Sequence, residues 1–392
     1  MKHTFIMVAA LLATGQMAAQ TTMEEALSAI ERNNTTLKAL RSAADAEKEA
    51  NKTEIYLSDP EVGFNYLWGN PSAIGHREDI TVEQSFDLAT LSGAKSRVAK
   101  GKNQLVEWQY RADRMDVLLE AKQCLLDVAY YDGLLQELAV RKSHAEEISK
   151  AQQRRLEAGD GNQMEYNNVK LALGQVLAEI KRVETERAAV MTQLAQLNGG
   201  QPLQLGQLAF PVVSMPGDFS SWYTEAAAKS PVLAYVKQDI EVSRKQLSLS
   251  KTMGLPSISV GYMSEKTLGE RYQGVSVGMS LPLWSNRHKV RQAKAAVEAA
   301  KARETDATVR FYGQLQALCQ RAVGLRGVAD AYRQTVQGAD NTQLLKKALD
   351  AGAISVIDYT VGAGLYYDAM EKALDAERDC QKALAELKAV EL

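Results

Sequence analysis

The sequence is short of the residues that build most ligand sites. Its 392 residues include four histidines and three cysteines, none close together in sequence, which argues against a local metal cluster. No histidine has a cysteine, serine or aspartate partner at a spacing typical of catalysis, and no glycine-rich stretch leads into Gly-Lys-Ser or Gly-Lys-Thr. We therefore predict that the protein is not an enzyme, and we expect neither a cofactor nor a metal.

A surplus of one charge and long apolar runs are also missing. Lysine and arginine number 46 and aspartate and glutamate 48, so the positive surplus of a dedicated nucleic-acid-binding protein is absent. Beyond the N-terminus, no apolar run is long enough to cross a membrane as a helix. Hydrophobic residues make up 46% of the chain, which is enough for a large core and excludes a disordered protein.

Residues 1–19 are typical of a secretory signal peptide. Lys2 supplies a positive start, residues 5–12 are a short apolar stretch, and Ala18 and Ala19 are small residues suited to cleavage. An N-terminal core helix is the alternative. No cysteine follows the expected cleavage point, so we expect export without a lipid anchor at the mature N-terminus.

Only eight prolines occur, and their positions divide the chain. None lies between Pro71 and Pro202 and none after Pro282, so residues 90–198 and 285–392 are free to be helical. Residues 199–218 hold three prolines and four glycines, which indicates a linker.

The two sides of this linker resemble each other. Pro60 corresponds to Pro256 and Tyr66 to Tyr262, in each case 196 residues later. Further pairs, 193 residues apart, are Leu156 with Leu349, Gly159 with Gly352, Glu165 with Asp358, and Tyr166 with Tyr359. We predict an internal duplication with repeats at residues 20–198 and 219–392, each containing a helix, two strands and a long helical hairpin.

Each predicted repeat has two stretches in which apolar residues alternate with small or polar ones. The apolar sets are Val62, Phe64, Tyr66 and Trp68; Ile80, Val82, Phe86 and Leu88; Ile258, Val260 and Tyr262; and Val275, Val277, Met279 and Leu281. Stretches of about 9 to 11 residues match tilted membrane-spanning strands, although a half-buried sheet in a soluble protein gives the same alternation. Four strands cannot enclose a lumen, so membrane strands would require several protomers to share one barrel.

Apolar residues spaced by seven predict long helices that pack as coiled coils. The sets are Val98, Leu105, Ala112, Leu119 and Leu126; Val169, Val176, Val183, Val190 and Leu197; and Val290, Val297, Phe311, Leu318 and Leu325. Breaks at residues 158–162 and 351–353 predict tight turns, so that each repeat ends in a helical hairpin. A helix of almost seventy residues would extend roughly 100 Å.

The last helix carries small residues where its counterpart carries valine. Gly362, Ala369, Ala376 and Ala383 stand 193 residues after Val169, Val176, Val183 and Val190. Our hypothesis is that the second hairpin packs in a tighter seam than the first; a neutral change of core volume is the alternative.

Several of these segments occur together in a known arrangement. They are Glu25-Ala26-Leu27 and Asn33-Asn34 near the start, LPLWSNR at residues 281–287, and the turn sequences RLEAG at 155–159 and ALDAG at 348–352. An acidic residue and a tyrosine follow each turn, as Glu165-Tyr166 and Asp358-Tyr359. With the duplicated strands and hairpins in this order, the chain resembles the TolC family of outer membrane efflux proteins over essentially the whole mature sequence.

The resemblance implies a mainly α-helical protein with membrane β-strands that forms a homotrimer. Three protomers would each give four strands to a twelve-stranded barrel in the cell outer membrane, and their helical hairpins would form an α-barrel across the periplasm. It implies a passive exit duct for substrates that an inner-membrane pump, of the RND type, delivers through a periplasmic adaptor protein. The outer component of type I protein secretion and a non-membrane periplasmic coiled-coil scaffold are the alternatives.

The resemblance also implies where adaptor and duct would meet. The docking tips would be Gly159, Asp160 and Gly161 in the first turn, and Gly352 and Ala353 in the second.

Three carboxylates are candidates for the path of the substrate. Asp358 lies where family members narrow the periplasmic entrance with inward aspartates, although Val361 stands where a second acid would be expected. Glu83 and Asp87 follow the polar face of a predicted strand and are candidate lumen residues. A solvated or helix-starting carboxylate is the alternative for Asp358. Surface charges on a soluble sheet are the alternative for Glu83 and Asp87.

Overall fold

The computed structural model describes residues 22–284 and 286–392, so the predicted signal peptide at residues 1–19 lies outside the described residues. The fold is mainly helical, with one antiparallel sheet of four strands. Every described helix lacks a stretch apolar enough to cross a lipid bilayer.

The elements follow the same order before and after residues 198–218. The first series is α1 (Met23–Asn33), α2 (Thr35–Ala50), β1 (Glu61–Trp68), β2 (His76–Phe86), α3 (Leu88–Leu91), α4 (Ala94–Glu157) and α5 (Gln163–Leu197). The second series is α6 (Phe219–Lys229), α7 (Pro231–Thr252), β3 (Ser257–Thr267), β4 (Glu270–Ser280), α8 (Lys289–Gly338), α9 (Thr342–Asp350) and α10 (Val356–Leu387). This order agrees with two repeats; the duplication itself stays a prediction.

Polar side chains start the paired helices that precede each strand pair. The Asn34 side chain accepts a hydrogen bond from the backbone N–H of Leu37 at the start of α2, with an N···O distance of 2.8 Å. At the start of α7, Ser230 accepts from Leu233, and Pro231 takes the first helical position, where no backbone donor is needed. Both helices therefore begin where local sequence requires.

The sheet joins the strands of both series in the order β1-β2-β3-β4. The central pair, β2 with β3, brings residues about 180 positions apart into register, as in Val82 opposite Tyr262. β1 and β4 form the two edges, and each pairs with one neighbour only among the described residues.

Contacts divide the chain into two compact units. The first comprises the residues up to Asn33 together with Cys124–Phe210, and the second comprises Asn34–Gln123 with Pro211–Leu392. These units are not the two sequence repeats, because α4 contributes residues to both units.

In the first unit, the buried residues of α5 follow the predicted spacing of seven. Val169, Val176 and Val183 are all buried, Val183 completely. At the end of α5, the Asn198 side chain accepts a hydrogen bond from the amide of Asn33 at 2.9 Å and donates to the carbonyl of Gln201. The start of the linker is thereby tied to the end of α1.

In the second unit, the core between α8 and α10 is built from small residues. Ala322, Ala329, Cys380 and Ala383 are buried within it, and Leu315 and Leu384 complete the seam. The predicted set Phe311, Leu318 and Leu325 lies at the edge of this core and is half-buried. The spacing of seven is confirmed, but the most buried row is displaced from the predicted one.

The predicted helix that leads to the second turn is interrupted. α8 ends at Gly338 and α9 begins at Thr342, whereas the heptad pattern predicts a helix that continues to Ala351. The Asp340 carboxylate accepts hydrogen bonds from the Thr342 backbone N–H at 3.1 Å and from its hydroxyl at 2.7 Å. Such local bonds compete with the helix ladder, and the prediction of an unbroken helix is wrong at residues 339–341.

Candidate functional site

The two faces of the sheet differ in chemistry, as the alternation predicts. What we call the apolar face carries Val62, Phe64, Tyr66, Trp68, Ile80, Val82, Ile258, Val260, Tyr262, Val275, Val277 and Met279. All of these side chains are exposed, from 40% for Tyr66 to 83% for Trp68. A sheet that held these residues in a soluble core would bury them, so the apolar face requires an apolar environment outside the described chain.

The opposite side, which we call the polar face, combines glycine and serine with charged residues such as Glu61 and Glu265. Its large uncharged side chains are Leu67, Met263 and Tyr272. Gly63 lies opposite Thr81, and a Cβ atom on Gly63 would come within 2.6 Å of the threonine hydroxyl oxygen. A Cβ atom on Gly261 would likewise come within 2.7 Å of the Ser276 hydroxyl oxygen. At these two positions, the close approach of the neighbouring strand leaves no room for a side chain in place of glycine.

The lumen candidate Glu83 lies on the polar face and is exposed. Its neighbours in register are Glu61 on β1 and Gly261 on β3. Two carboxylates directly opposite each other repel, and the glycine on the other side offers no compensating charge. The pair gives this part of the polar face a local negative charge.

The second lumen candidate, Asp87, follows the last residue of β2 and is engaged in the start of α3. Its carboxylate accepts hydrogen bonds from the backbone N–H and hydroxyl of Thr90, both at 2.7 Å, and lies 3.1 Å from the Lys95 ammonium. Burial raises the pKa of the Asp87 carboxyl, but these bonds outweigh burial and hold the pKa below its ordinary value. Asp87 is therefore a helix cap as well as a candidate for the lumen wall.

The junction after β4 exposes a second apolar surface. Leu281, Leu283 and Trp284 are more than half exposed and border a cavity of about 530 Å³. The Asn286 side-chain amide donates to the Ser250 carbonyl of α7 at 2.9 Å, which anchors the junction to the neighbouring helix. Apolar surface thus continues from the sheet to the start of the helices.

The first tip connects α4 to α5 by a tight turn at the predicted residues. Gly159 has a φ of +83°, a conformation that favours glycine. A Cβ atom on Gly161 would come within 2.5 Å of the Leu156 backbone nitrogen, so only glycine fits there. Asn162 then starts α5 by accepting a hydrogen bond from Met164. Gly159 and Asp160 are exposed.

The second tip has a glycine with positive φ in the corresponding place, Gly352 at +68°, followed by the exposed Ala353. α10 starts with a capping box: the Asp358 backbone donates to the Ser355 hydroxyl, and the Ser355 backbone and hydroxyl donate to the Asp358 carboxylate. These bonds lower the pKa of Asp358, whose side chain stays at the surface. The entrance candidate therefore also has a structural role at this tip.

Two clusters of ion pairs and hydrogen bonds, one in each unit, were not predicted from the sequence. In the second unit, Glu107 of α4 lies 2.7 Å from the Lys48 ammonium and 3.0 Å from the Arg41 guanidinium, which lowers the pKa of Glu107. In the first unit, the buried Asp132 accepts from Arg187 at 2.6 Å and from the backbone N–H of Leu208 at 2.9 Å. Their partners are separated by 55 residues or more, so no local pattern could reveal them.

The features described above are surfaces, turns and helix starts. Within residues 22–284 and 286–392, no group of three or more His, Cys, Asp or Glu side chains is placed to hold a metal ion. Cys124, Cys319 and Cys380 are free thiols, and burial raises the pKa of Cys380.

Comparison with solved structures defines the class of fold. The outer membrane channel MtrE of Neisseria gonorrhoeae, in its open state, matches with a TM-score of 0.76 over 95% of this chain and 89% of that one, at 14% identity. The outer membrane channel CmeC of Campylobacter jejuni matches with a TM-score of 0.72 over 100% of this chain and 93% of that one, at 13% identity. The chain has the fold of these outer membrane channels.

Sequence comparison leads to the family. The family model "Outer membrane efflux protein" matches residues 222–390. The alkaline protease secretion protein AprF of Pseudomonas aeruginosa is 23% identical over 364 residues, which cover 84% of this chain and 76% of AprF. These findings confirm the resemblance to the TolC family of outer membrane efflux proteins, a family of channels without a known catalytic centre.

Proposed function

We propose that the protein is a homotrimeric exit duct of the cell outer membrane that passively conducts substrates delivered by an inner-membrane pump through a periplasmic adaptor. The observation that carries the proposal is the sheet, whose exposed apolar face lies opposite a polar face. Lipid on one side and water on the other satisfy both faces.

The two open edges of the sheet support a shared barrel. A membrane strand cannot leave its backbone groups unpaired in lipid, so β1 and β4 must each find another strand. Three copies of a four-stranded sheet, joined edge to edge, give twelve strands and a closed barrel with a lumen. The repeats, residues 20–198 and 219–392, would each supply two of these strands and one helical hairpin.

The helical hairpins supply the periplasmic part of the proposed duct. The tip residues Gly159, Asp160, Gly161, Gly352 and Ala353 are the proposed contacts for the adaptor. Tight turns with exposed small residues present backbone and little side chain, which suits contact with another helical protein.

An inner-membrane pump of the RND type is our first choice of partner. The similarity to AprF, whose name describes protease secretion, favours type I protein secretion as the second candidate. In both systems this protein would be the outer-membrane duct. The systems differ in the inner-membrane partner and in the substrate that enters the duct. Purification of the chain with its adaptor, followed by identification of the attached pump, separates the two.

The first test compares a lysine on each face of β4. Val277→Lys places a charge on the apolar face, where about 2 to 4 kcal/mol is lost at the middle of the bilayer, and should reduce the amount of trimer in the outer membrane. Ser276→Lys, the neighbouring control, points to the polar face and should leave the trimer intact. The amount of trimer is measured from the mass of the protein extracted in mild detergent. If both lysines are tolerated equally, or if the protein is a monomer without detergent, the periplasmic scaffold is supported instead.

Asp358 is the proposed entrance carboxylate. Three copies near the narrow end would favour cations, so Asp358→Asn should shift the reversal potential of single channels towards lower cation preference. Because this variant also changes the capping box, Ser355→Ala serves as the control that alters the box and keeps the charge. An unchanged reversal potential in Asp358→Asn would contradict the entrance role.

A further inference from the structure

Basic side chains end the apolar face near the turn between β3 and β4. Lys266 on β3 lies directly opposite Arg271 on β4, one residue pair before the strands meet at Leu268 and Gly269. Lys266 is four residues beyond Tyr262 and therefore on the same face. The apolar face thus ends in two cations at the end of the sheet that is remote from the helices.

Glu78, Lys266 and Arg271 lie side by side across β2, β3 and β4, and we call them the basic row. Their charges do not cancel. The Glu78 carboxylate lies 3.4 Å from the Lys266 ammonium, and its other oxygen lies 3.4 Å from the His76 imidazole. Arg271 has no ion-pair partner among the residues that the structure describes. Two permanent cations therefore share one carboxylate, and the row has a net positive charge.

Aromatic rings adjoin the row on β1. The Tyr66 ring stacks on His76 at a centroid distance of 5.1 Å, and Trp68 meets Tyr66 edge-on at 5.7 Å. Tyrosine and tryptophan are enriched at membrane interfaces because each combines an apolar ring with a polar atom. The rings place the row at the border between acyl chains and head groups.

The length of the strands agrees with a position of these cations at the membrane surface. From Ile258 to Lys266 the chain advances eight residues, or about 26 Å along the strand at ~3.3 Å per residue. A tilt of about 40° reduces this to roughly 20 Å along the membrane normal, close to the ~25 Å apolar band of outer membrane barrels. Lys266 and Arg271 would therefore lie at the level of the outer head groups.

We propose that Lys266 and Arg271 bind the phosphate of an outer-leaflet lipid; this inference rests on the proposed outer-membrane function. The guanidinium offers a planar fork of donors to phosphate oxygens, and the lysine adds a mobile charge beside it. The adjoining apolar face holds the acyl chains of the same molecule. This second contact favours a lipid over a free phosphate ion, which would gain only the two cations.

The test places the purified trimer in nanodiscs of phosphatidylcholine that contain diphosphoryl lipid A. Native mass spectrometry then counts the lipid A molecules that stay bound to each trimer. At low salt, the Lys266→Gln/Arg271→Gln variant should bind lipid A about fivefold more weakly for each cation removed. Glu78→Gln should bind it more tightly, because the competing carboxylate is lost.

Arg77→Gln is the matched control. Arg77 lies on the polar face, where it pairs with Asp79 at 2.8 Å and Glu265 at 3.2 Å, so its loss should leave lipid A retention unchanged. Equal retention by all variants, or displacement of lipid A by millimolar inorganic phosphate, would overturn the inference. Failure of the wild-type chain to enter nanodiscs would overturn the outer-membrane function as well, whereas entry without retention of lipid A would overturn the inference alone.

Discussion

The two helical hairpins follow the same order of elements but differ in the volume of their buried side chains. The first buries Val169, Val176 and Val183 on α5, and the second buries alanines such as Ala329 and Ala383 between α8 and α10. The distance between helix axes depends on the side chains at the contact, so alanine permits a closer approach than valine. A conserved order of elements therefore does not require equal packing.

The two tips also differ in the interactions that determine their backbone conformation. The first needs Gly161 for space and Asn162 as a neutral cap, whereas the second relies on a capping box that contains the ionisable Asp358. Ile354 occupies the position that corresponds to Gly161. The first tip is thus defined by close backbone contact and the second by side-chain hydrogen bonds.

The largest expected effect comes from exchanging volumes in the two seams. Ala376→Leu adds three carbon atoms beside the buried Cys380 and Ala383 and should lower the free energy of unfolding by about 3 kcal/mol and reduce the trimer fraction. Val183→Ala leaves a small cavity and should cost about 2 kcal/mol. Denaturant unfolding and trimer mass measure both, and equal damage would contradict the idea of a tighter second seam.

Smaller losses of stability are expected from alanine at the glycines of the two tips. Gly161→Ala brings a carbon atom against the Leu156 backbone, which must move, so we expect a local loss of about 2 kcal/mol. Gly352→Ala meets no neighbouring atom and costs only the strain of a positive φ, about 1 kcal/mol. Hydrogen exchange at each tip reports the change. The reverse order would show that the first turn adapts its backbone freely.

Loss of the helix caps that follow the two tips should lower the stability by still smaller amounts. Ser355→Ala removes the acceptor for the Asp358 backbone and one donor to its carboxylate, and should weaken the start of α10 by about 1.5 kcal/mol. Asn162→Ala removes one acceptor at the start of α5 and should cost about 1 kcal/mol. Exchange rates of the first-turn amides measure both losses, with Asn167→Ala in the second turn of α5 as a control outside the caps.

The smallest effect is a pH dependence confined to the second tip. The pKa of Asp358 is lowered by hydrogen bonds from Ser355, so the carboxylate stabilises the start of α10 fully above the ordinary aspartate pKa of 3.8. This contribution is lost as the pH falls through the lower pKa of the folded state. Amide exchange, corrected for its intrinsic pH dependence, should rise at the start of α10 below pH 3.8. The start of α5, capped by a neutral amide, should show no such rise.

Local patterns predicted much of the molecule. Alternation with period two located the faces of all four strands, since successive side chains of a strand point to opposite sides. Spacing by seven located the buried row of Val169, Val176 and Val183, and glycine-containing breaks located both tips. Each of these features depends on neighbours within a few residues of one another.

Features that depend on distant partners were missed. Alanine is common on both exposed and buried helix faces, so nothing in the sequence marked Ala322 and Ala329 as more buried than Leu318. Asp340, which accepts hydrogen bonds from Thr342 in the break between α8 and α9, resembles any other aspartate among polar residues. The sequence around Asp132 does not predict its contacts with Arg187 and the Leu208 amide, because these groups meet only in the folded chain.

The sequence by itself determined which segments are strands and long helices, which face of each strand is apolar, and where the hairpins turn. It did so because these properties follow from backbone geometry and the spacing of apolar residues. Only the tertiary structure decided that β2 pairs with β3, that an alanine row forms the seam between α8 and α10, and that Asp132 meets Arg187. Those outcomes depend on the packing volume, charge and hydrogen-bond partners that meet in space, which the order of residues along the chain does not display.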